Sequence, residues 1–244
     1  FFEDRLWLAY FQTLWASNAG AYTNFTTGSL ADDALAYTIA SNDVNEIKWL
    51  SSGKILVAGT AGGEYKISAS DIEDAITPTN IRIVKQSSYG SAYIMTLTIK
   101  DVVLYVQSAN RKIREFTYRW ENDTYVSPDL TVLAEHITDS GIKYMAYQQE
   151  PNSIVWVVRN DGDLVGMTYA RENETIAWHH HTTDGDFESV AVIPSITGND
   201  YDEVWVIVKR NIGGTDYRYV EQLQPQFEHN DSIEDAFFVD SGLS

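Results

Sequence analysis

Residues 154–183 read IVWVVRNDGDLVGMTYARENETIAWHHHTT, which divides into three short strands and two tight turns. Ile154–Arg159 is apolar on both faces, the pattern of a strand buried between two layers. Asn160-Asp161-Gly162-Asp163 closes a hairpin, with Gly162 free to take a positive φ. Leu164–Ala170 runs back, Arg171-Glu172-Asn173-Glu174 turns again, and Thr175–His181 supplies a further strand.

The buried strand recurs. LWASN (Leu14–Asn18), ILVAG (Ile55–Gly59), VLYVQ (Val103–Gln107), VWVVR (Val155–Arg159) and VWVIV (Val204–Val208) begin 41, 48, 52 and 49 positions apart. An apolar segment precedes each: Arg5–Tyr10, Glu46–Leu50, Ala92–Ile99, Ile142–Tyr147 and Glu188–Ile193. A Gly- or Asn-bearing turn follows, then a strand with Tyr or Phe, as in AYTNFT, EYKIS, IREFTY, LVGMTY and DYRYV. Fourth strands are expected at Ala34–Ala40, Ile81–Gln86, Tyr125–Leu133 and Thr175–His181; the fifth unit offers only Ala236–Val239.

A period near ~40–50 residues with four strands per unit is that of propeller blades. The expectation is an all-β chain, a β-propeller of four-stranded antiparallel blades. Five blades are visible, and a sixth is conceivable from residues outside the sequence. No Pro/Gly/Ser-rich linker interrupts the repeats, so residues 1–244 read as one domain. Residues 225–244 read as an exit segment, and Phe1-Phe2 and Phe237-Phe238 are candidates for closing the ring. Ser70–Ala75 could form one capped helical turn.

The 244 residues carry 17 Lys+Arg against 35 Asp+Glu, a formal charge of −18. Such a chain repels a phosphate backbone, which excludes a duplex-binding module. The absence of cysteine removes disulfides and thiolate metal sites. No run approaches the ~20 apolar residues of a membrane span, and the opening residues do not read as a signal peptide. The chain opens on Phe and stops at Asp240-Ser241-Gly242-Leu243-Ser244, which suggests a piece of a longer protein.

Candidate chemistry is sparse. His179 and His181 share one face of a strand, and Asp184 or Asp186 could add an oxygen ligand to a metal. An outer strand with polar residues facing water explains the same run. Asp161-Gly162-Asp163 lacks the further acids of a calcium loop. A glycosidase needs two carboxylates projecting into one cavity, but the innermost strands carry acids only at their starts, Glu46 and Glu188. There is no nucleophile elbow, P-loop or His-Glu-x-x-His. No catalytic residue and no cofactor is expected. Trp15, Trp49, Trp156 and Trp205 read as core, and loop aromatics such as Tyr89 or Tyr201 are candidates for stacking on a sugar.

The wording of the repeats resembles the nozzle (tail tubular) proteins of short-tailed bacteriophages and prophages. The phrases are DRLWLA (Asp4–Ala9), WASNAGAYTNF (Trp15–Phe25), ADDALAYTI (Ala31–Ile39), NEIKWL (Asn45–Leu50) and VAGTAGGEYKIS (Val57–Ser68). TPTNI (Thr77–Ile81), SSYG (Ser87–Gly90), REFTY (Arg114–Tyr118), DLTVLAEHI (Asp129–Ile137), YQQEPNSIVWVVRNDG (Tyr147–Gly162) and AWHHHTTDG (Ala177–Gly185) continue the series. Their order along the chain carries the resemblance, and no single phrase carries a catalytic role. Ala21 departs from it, where an acidic residue is expected.

The resemblance implies a non-enzymatic structural part of a virion tail. It implies six copies ringed at the distal end of the DNA conduit, an upstream tail adaptor as neighbour, and a further β-rich region beyond Leu243. DNA would pass without specific binding, and contact with the host surface is a further expectation. The alternatives are a receptor- or glycan-binding propeller and a five-bladed glycoside hydrolase.

Overall fold

A computed structural model describes residues 1–39, 45–71, 74–195, 201–227, 232–235 and 240–242. Ala236–Val239 and Phe237-Phe238 lie outside the described residues, as does the middle of Ser70–Ala75. Among the described residues the chain is all-β, with five antiparallel sheets and three single-turn 3-10 segments.

The first sheet is β1 (Trp7–Tyr10), β2 (Thr13–Ala16) and β3 (Leu35–Thr38). The second is β4 (Ile47–Ser52), β5 (Leu56–Thr60), β6 (Gly63–Ala69) and β7 (Ile81–Ser87). β8 (Leu97–Ile99), β9 (Val102–Val106), β10 (Ile113–Arg119) and β11 (Thr124–Val126) make the third. β12 (Ile142–Gln148), β13 (Ile154–Arg159), β14 (Leu164–Ala170) and β15 (Thr175–His181) make the fourth. β16 (Asp186–Ile193), β17 (Glu203–Ile212) and β18 (Thr215–Leu223) form the fifth. Each is a simple meander, strands paired in chain order, as expected of propeller blades.

The two-faced burial inferred from sequence is present. All of β5 and β9, and β13 beyond its first residue, are buried. Leu56 and Ala58 pack with Leu14, Ala16 and Leu35 of the first blade, whereas Val57 packs with Val103, Tyr105 and Phe116 of the third. Alternate residues of one strand therefore serve two neighbours, which is why a single blade cannot bury itself. Trp156, Val158 and Leu164 likewise pack with Phe187, Val204, Val206 and Val208 of the fifth blade. The blades fall into two compact units, Phe1–Val132 with the first three and Leu133–Ser244 with the last two.

The innermost strands repeat in detail. Ile47, Ile142 and Phe187 are buried and pair with Thr60, Arg159 and Val208, and each is followed by a bulge at Lys48, Lys143 or Glu188. The turn after the second strand of one blade accepts a hydrogen bond from the start of the next blade: Thr60 O from Ser91 N (2.8 Å) and Gly162 O from Phe187 N (2.7 Å).

That bond corrects the reading of the first blade. Ile47 N donates to Phe11 O (2.7 Å), so the Phe11 turn follows the second strand. By connection Arg5–Tyr10 thus takes the place of the second strand, although only Trp7 of β1 is buried and the buried strand residues of this blade are Leu14 and Ala16, as read from the sequence. The residues paired with the start of each innermost strand are Thr60, Gln107, Arg159 and Val208, spaced 47, 52 and 49 apart, and Phe11, which takes the place of Thr60 as acceptor, lies 49 residues before it. The anomalous interval of 41 came from a one-strand offset. AYTNFT is not a strand; Leu35–Thr38 pairs directly with β2, and the expected fourth strand is the blade's last of three.

Two further strands are shorter than expected. Within Ala92–Ile99 only Leu97–Ile99 is strand, because the chain swings outward at Tyr93 and Met95, both 82% exposed. Within Tyr125–Leu133 the regular strand ends at Val126 and pairing with β10 resumes only as the Arg114–Asp129 bridge; Pro128 has no N–H to donate, and Asp129 turns the chain by accepting from Thr131 N at 2.9 Å. The first and fifth blades hold three strands among the described residues.

Candidate functional site

The densest buried chemistry lies in the seam between the second and third blades. Glu64 opens β6 just after Gly63, and Gly62-Gly63 completes the turn that Ser91 bonds. Its side chain is fully buried, and its carboxylate accepts a 2.9 Å hydrogen bond from Ser91 Oγ and a very short one from Ser87 Oγ. Arg114, on β10, donates Nη1 to Ser127 O and Nε to Gln107 Oε1, both at 2.7 Å. Its guanidinium lies 3.6 Å from the ring centroid of Tyr89, a cation–π contact.

Loss of solvent is the larger influence on Glu64. Burial raises its pKa above the usual carboxylate range, against the opposing pull of the two serines, Tyr105 and the Arg114 charge. The Tyr105 phenol is pushed well above its ordinary value, first by burial and then by the Glu64 charge. Trp49 Nε1 is buried without a hydrogen-bond partner, and the Tyr105 hydroxyl, beside Glu64 and Ser127 Oγ, makes no bond of good geometry to either. Such a seam is a site of polar tension, since each unmet buried group costs about 1–3 kcal/mol. Sequence reading missed it. An acid in the alternating strand GEYKIS reads as solvent-facing, and only the tertiary arrangement brings Ser91 over it.

The histidine run sits on the outermost strand of the fourth blade, as expected, but two of its rings do not simply face water. The register aligns Trp156, Gly166 and His179 across β13, β14 and β15. A Cβ on Gly166 would lie 2.0 Å from His179 Cε1, so the missing side chain lets that ring cross β14 toward Trp156. His179 and His181 stand edge-on to Trp156 at 5.7 and 5.0 Å, and His179 Nδ1 and His181 Nε2 share a 2.7 Å hydrogen bond. Burial holds both below the usual imidazole pKa, His181 at about 4.

Asp184 does not join them as a ligand set; its backbone N–H donates to Asp240 and its carbonyl accepts from Arg210. Asp186 pairs with Lys209 at 2.9 Å. Among the described residues no cluster of three or more His, Asp or Glu is arranged to hold a metal. Asp161 lies in the hairpin turn with Gly162 at φ 90°, and its carboxylate pairs with Arg159.

Neither acid considered for glycoside hydrolysis is free. Glu46 is bonded to Lys48 at 2.6 Å. Glu188 receives both Nε and Nη2 of Arg218, at 2.7 and 3.0 Å, which lowers its pKa. A carboxylate so held is a poor proton donor. Lys143, Arg159, Asp161, Asp186, Glu188 and Lys209 line a small polar cleft between the fourth and fifth blades. Of the candidate sugar-stacking residues, Tyr89 has a ring face taken by Arg114, and Tyr201 is half-buried. Trp49 and Trp156 are core; Trp15 and Trp205 are half-buried.

No protein-family model and no curated protein matches the chain. Among solved structures, a luciferin-regenerating enzyme is similar at 10% identity over 84% of this chain and 83% of its own length, with a TM-score of 0.34. A likeness that distant says nothing about activity. No helix among the described residues is long and apolar enough to cross a membrane.

Proposed function

We propose that the chain is a non-enzymatic structural propeller of a short-tailed phage tail, part of the nozzle wall around the DNA conduit. In this reading it acts within a ring of six copies below a tail adaptor, at the tip that meets the host. The ordered phrases along the whole sequence support it. The observation that carries it is electrostatic. The net charge is −18, and six of the 17 Lys+Arg are tied to carboxylates: Lys48 to Glu46, Lys112 to Asp129, Lys209 to Asp186, Arg159 to Asp139, Arg210 to Glu221 and Arg218 to Glu188. A wall with so large an acidic excess gives a sliding duplex little counterion-releasing grip.

Two measurements test it. Fluorescence anisotropy with a labelled duplex at ~0.15 M salt should show no binding at micromolar protein; tight binding would contradict the conduit role. Gold-labelled antibody raised against this chain should decorate the distal tip of intact tails. Labelling of the capsid, or of no particle at all, would remove the assignment.

A further inference from the structure

The third blade carries an aromatic series that runs from the core to the rim. Phe116, 2% exposed, stacks on Tyr125 at 4.9 Å; Tyr125 meets Tyr118 at 5.3 Å; and Tyr118 meets Trp120 edge-on at 5.3 Å. Trp120 ends the series 84% exposed, in the turn between β10 and β11. Burying such a ring is worth a few kcal/mol, so a bare indole is costly to leave in water.

The fold does not require it there. The matching turn of the fourth blade, between β14 and β15, has the same construction. Each is a three-residue 3-10 segment closed by an acid in the left-handed region, Asp123 (φ 49°) or Glu174 (φ 53°). Each closing N–H bonds the carbonyl of the first turn residue, at 3.3 Å to Trp120 and 3.1 Å to Arg171. Arg171 therefore builds the turn as well as Trp120 does.

We propose that Trp120 is a stacking platform for a neutral glycan, a pyranose ring lying on the indole with its hydroxyls reaching the charged groups around it. Arg119, Glu121 and Asp123, its neighbours in and around the turn, are exposed, and Asp123 accepts a short hydrogen bond from Tyr118 Oη. An apolar face fringed by donors and acceptors of both charges suits a sugar ring, which has C–H groups on its face and hydroxyls at its edge. A protein hot spot sits instead in an apolar patch from which water is excluded, and these neighbours are charged. Nucleobases would stack equally well, but the −18 charge of the chain opposes their phosphates. The same charge disfavours acidic polysaccharides and anionic lipid.

Native-gel affinity electrophoresis of the whole chain in soluble glucan, mannan, galactan and xylan tests the proposal. At least one polymer should retard the protein. Trp120→Arg, which copies the fourth blade's turn, should weaken that retardation about tenfold with unchanged Tm, and Trp120→Phe should largely keep it. Retardation by none of the polymers, or retardation that Trp120→Arg leaves intact, overturns the proposal. So does self-association in sedimentation velocity that Trp120→Arg abolishes, which would make a second copy the occupant. These outcomes do not bear on the tail assignment, whose own test is the position of the antibody label.

Discussion

Glu64 and Arg114 share one seam from the third strands of adjacent blades, opposite Gly59 and Tyr105 respectively. An acid and a base thus lie in one seam, where the Arg114 charge works against the effect of burial on Glu64. In the fourth blade the equivalent residue is Leu164, fully buried in the apolar core. The buried acid is therefore not a demand of the repeat.

Because burial raises the Glu64 pKa, the folded state holds its proton to higher pH than the unfolded chain does. Stability from this group is full below the unfolded value and falls as pH rises through the folded one. Glu64→Gln should be at least as stable as the parent near pH 7 and should lack the parent's gain on mild acidification. Glu64→Ala, which strips Ser87 and Ser91 of their acceptor, should lose about 1–3 kcal/mol. Thermal melts between pH 4 and 8 check both. Parallel pH curves for parent and Gln variant would disprove the assignment.

The histidine pair has the opposite sign. His179 and His181 are held neutral by burial, His181 with a pKa of about 4. Their contribution is intact above the ordinary imidazole value and is lost as pH falls from there toward 4, when the unfolded chain takes up protons the folded one refuses. His181→Phe keeps the packing on Trp156 but removes the titration. Its urea midpoint should depend less on pH between 6.5 and 4.5 than the parent's. An unchanged slope would place the acid sensitivity elsewhere.

What the sequence displayed and what it hid follow from the range of each interaction. Val155–Arg159 and its equivalents were legible because burial on both faces leaves an unbroken apolar run. Asp161-Gly162 was legible because a positive φ selects glycine. The first blade was misplaced by one strand because RLWLA and LWASN both carry Leu, Trp and Ala, and the Ile47–Phe11 bond distinguishes their places in the blade. Glu64 was hidden because its cover, Ser91, comes from the next blade. Trp120 was hidden because exposure is a property of the folded surface, and a tryptophan ending an aromatic strand reads as core.

Two glycines make a controlled comparison. A Cβ on Gly59 would fall 2.0 Å from Trp49 Cε2, in the core between the second and third blades, whereas one on Gly53 would meet nothing within 4 Å. Gly59→Ala must displace the indole from its place against Tyr105 and should cost about 1–3 kcal/mol. Gly53→Ala should be neutral, or stabilise by up to about 1 kcal/mol through the unfolded state. Chemical denaturation read by tryptophan fluorescence separates them. Equal effects would mean that the Trp49 ring is not seated over Gly59.

Arg5 explains why AYTNFT does not become a strand. It is 2% exposed, and its guanidinium donates to three main-chain carbonyls: Nη1 to Ser17 and Asp33, both at 2.7 Å, and Nη2 to Ala31 at 2.6 Å. These bonds gather the ends of the Ser17–Asp33 loop against the first blade, so the segment between them closes as turns and leaves the edge of β2 to β3. A lysine ammonium cannot span three carbonyls arranged for a planar fork. Arg5→Lys should therefore cost about 2–4 kcal/mol despite keeping the charge. The loss should be concentrated in the first blade. Hydrogen exchange would show faster amides at Ala19, Gly20 and Asn24, which bond within or across the loop, while β13 and β14 stay protected. Uniform acceleration across both compact units would mean that Arg5 supports the fold at large and does not hold that loop.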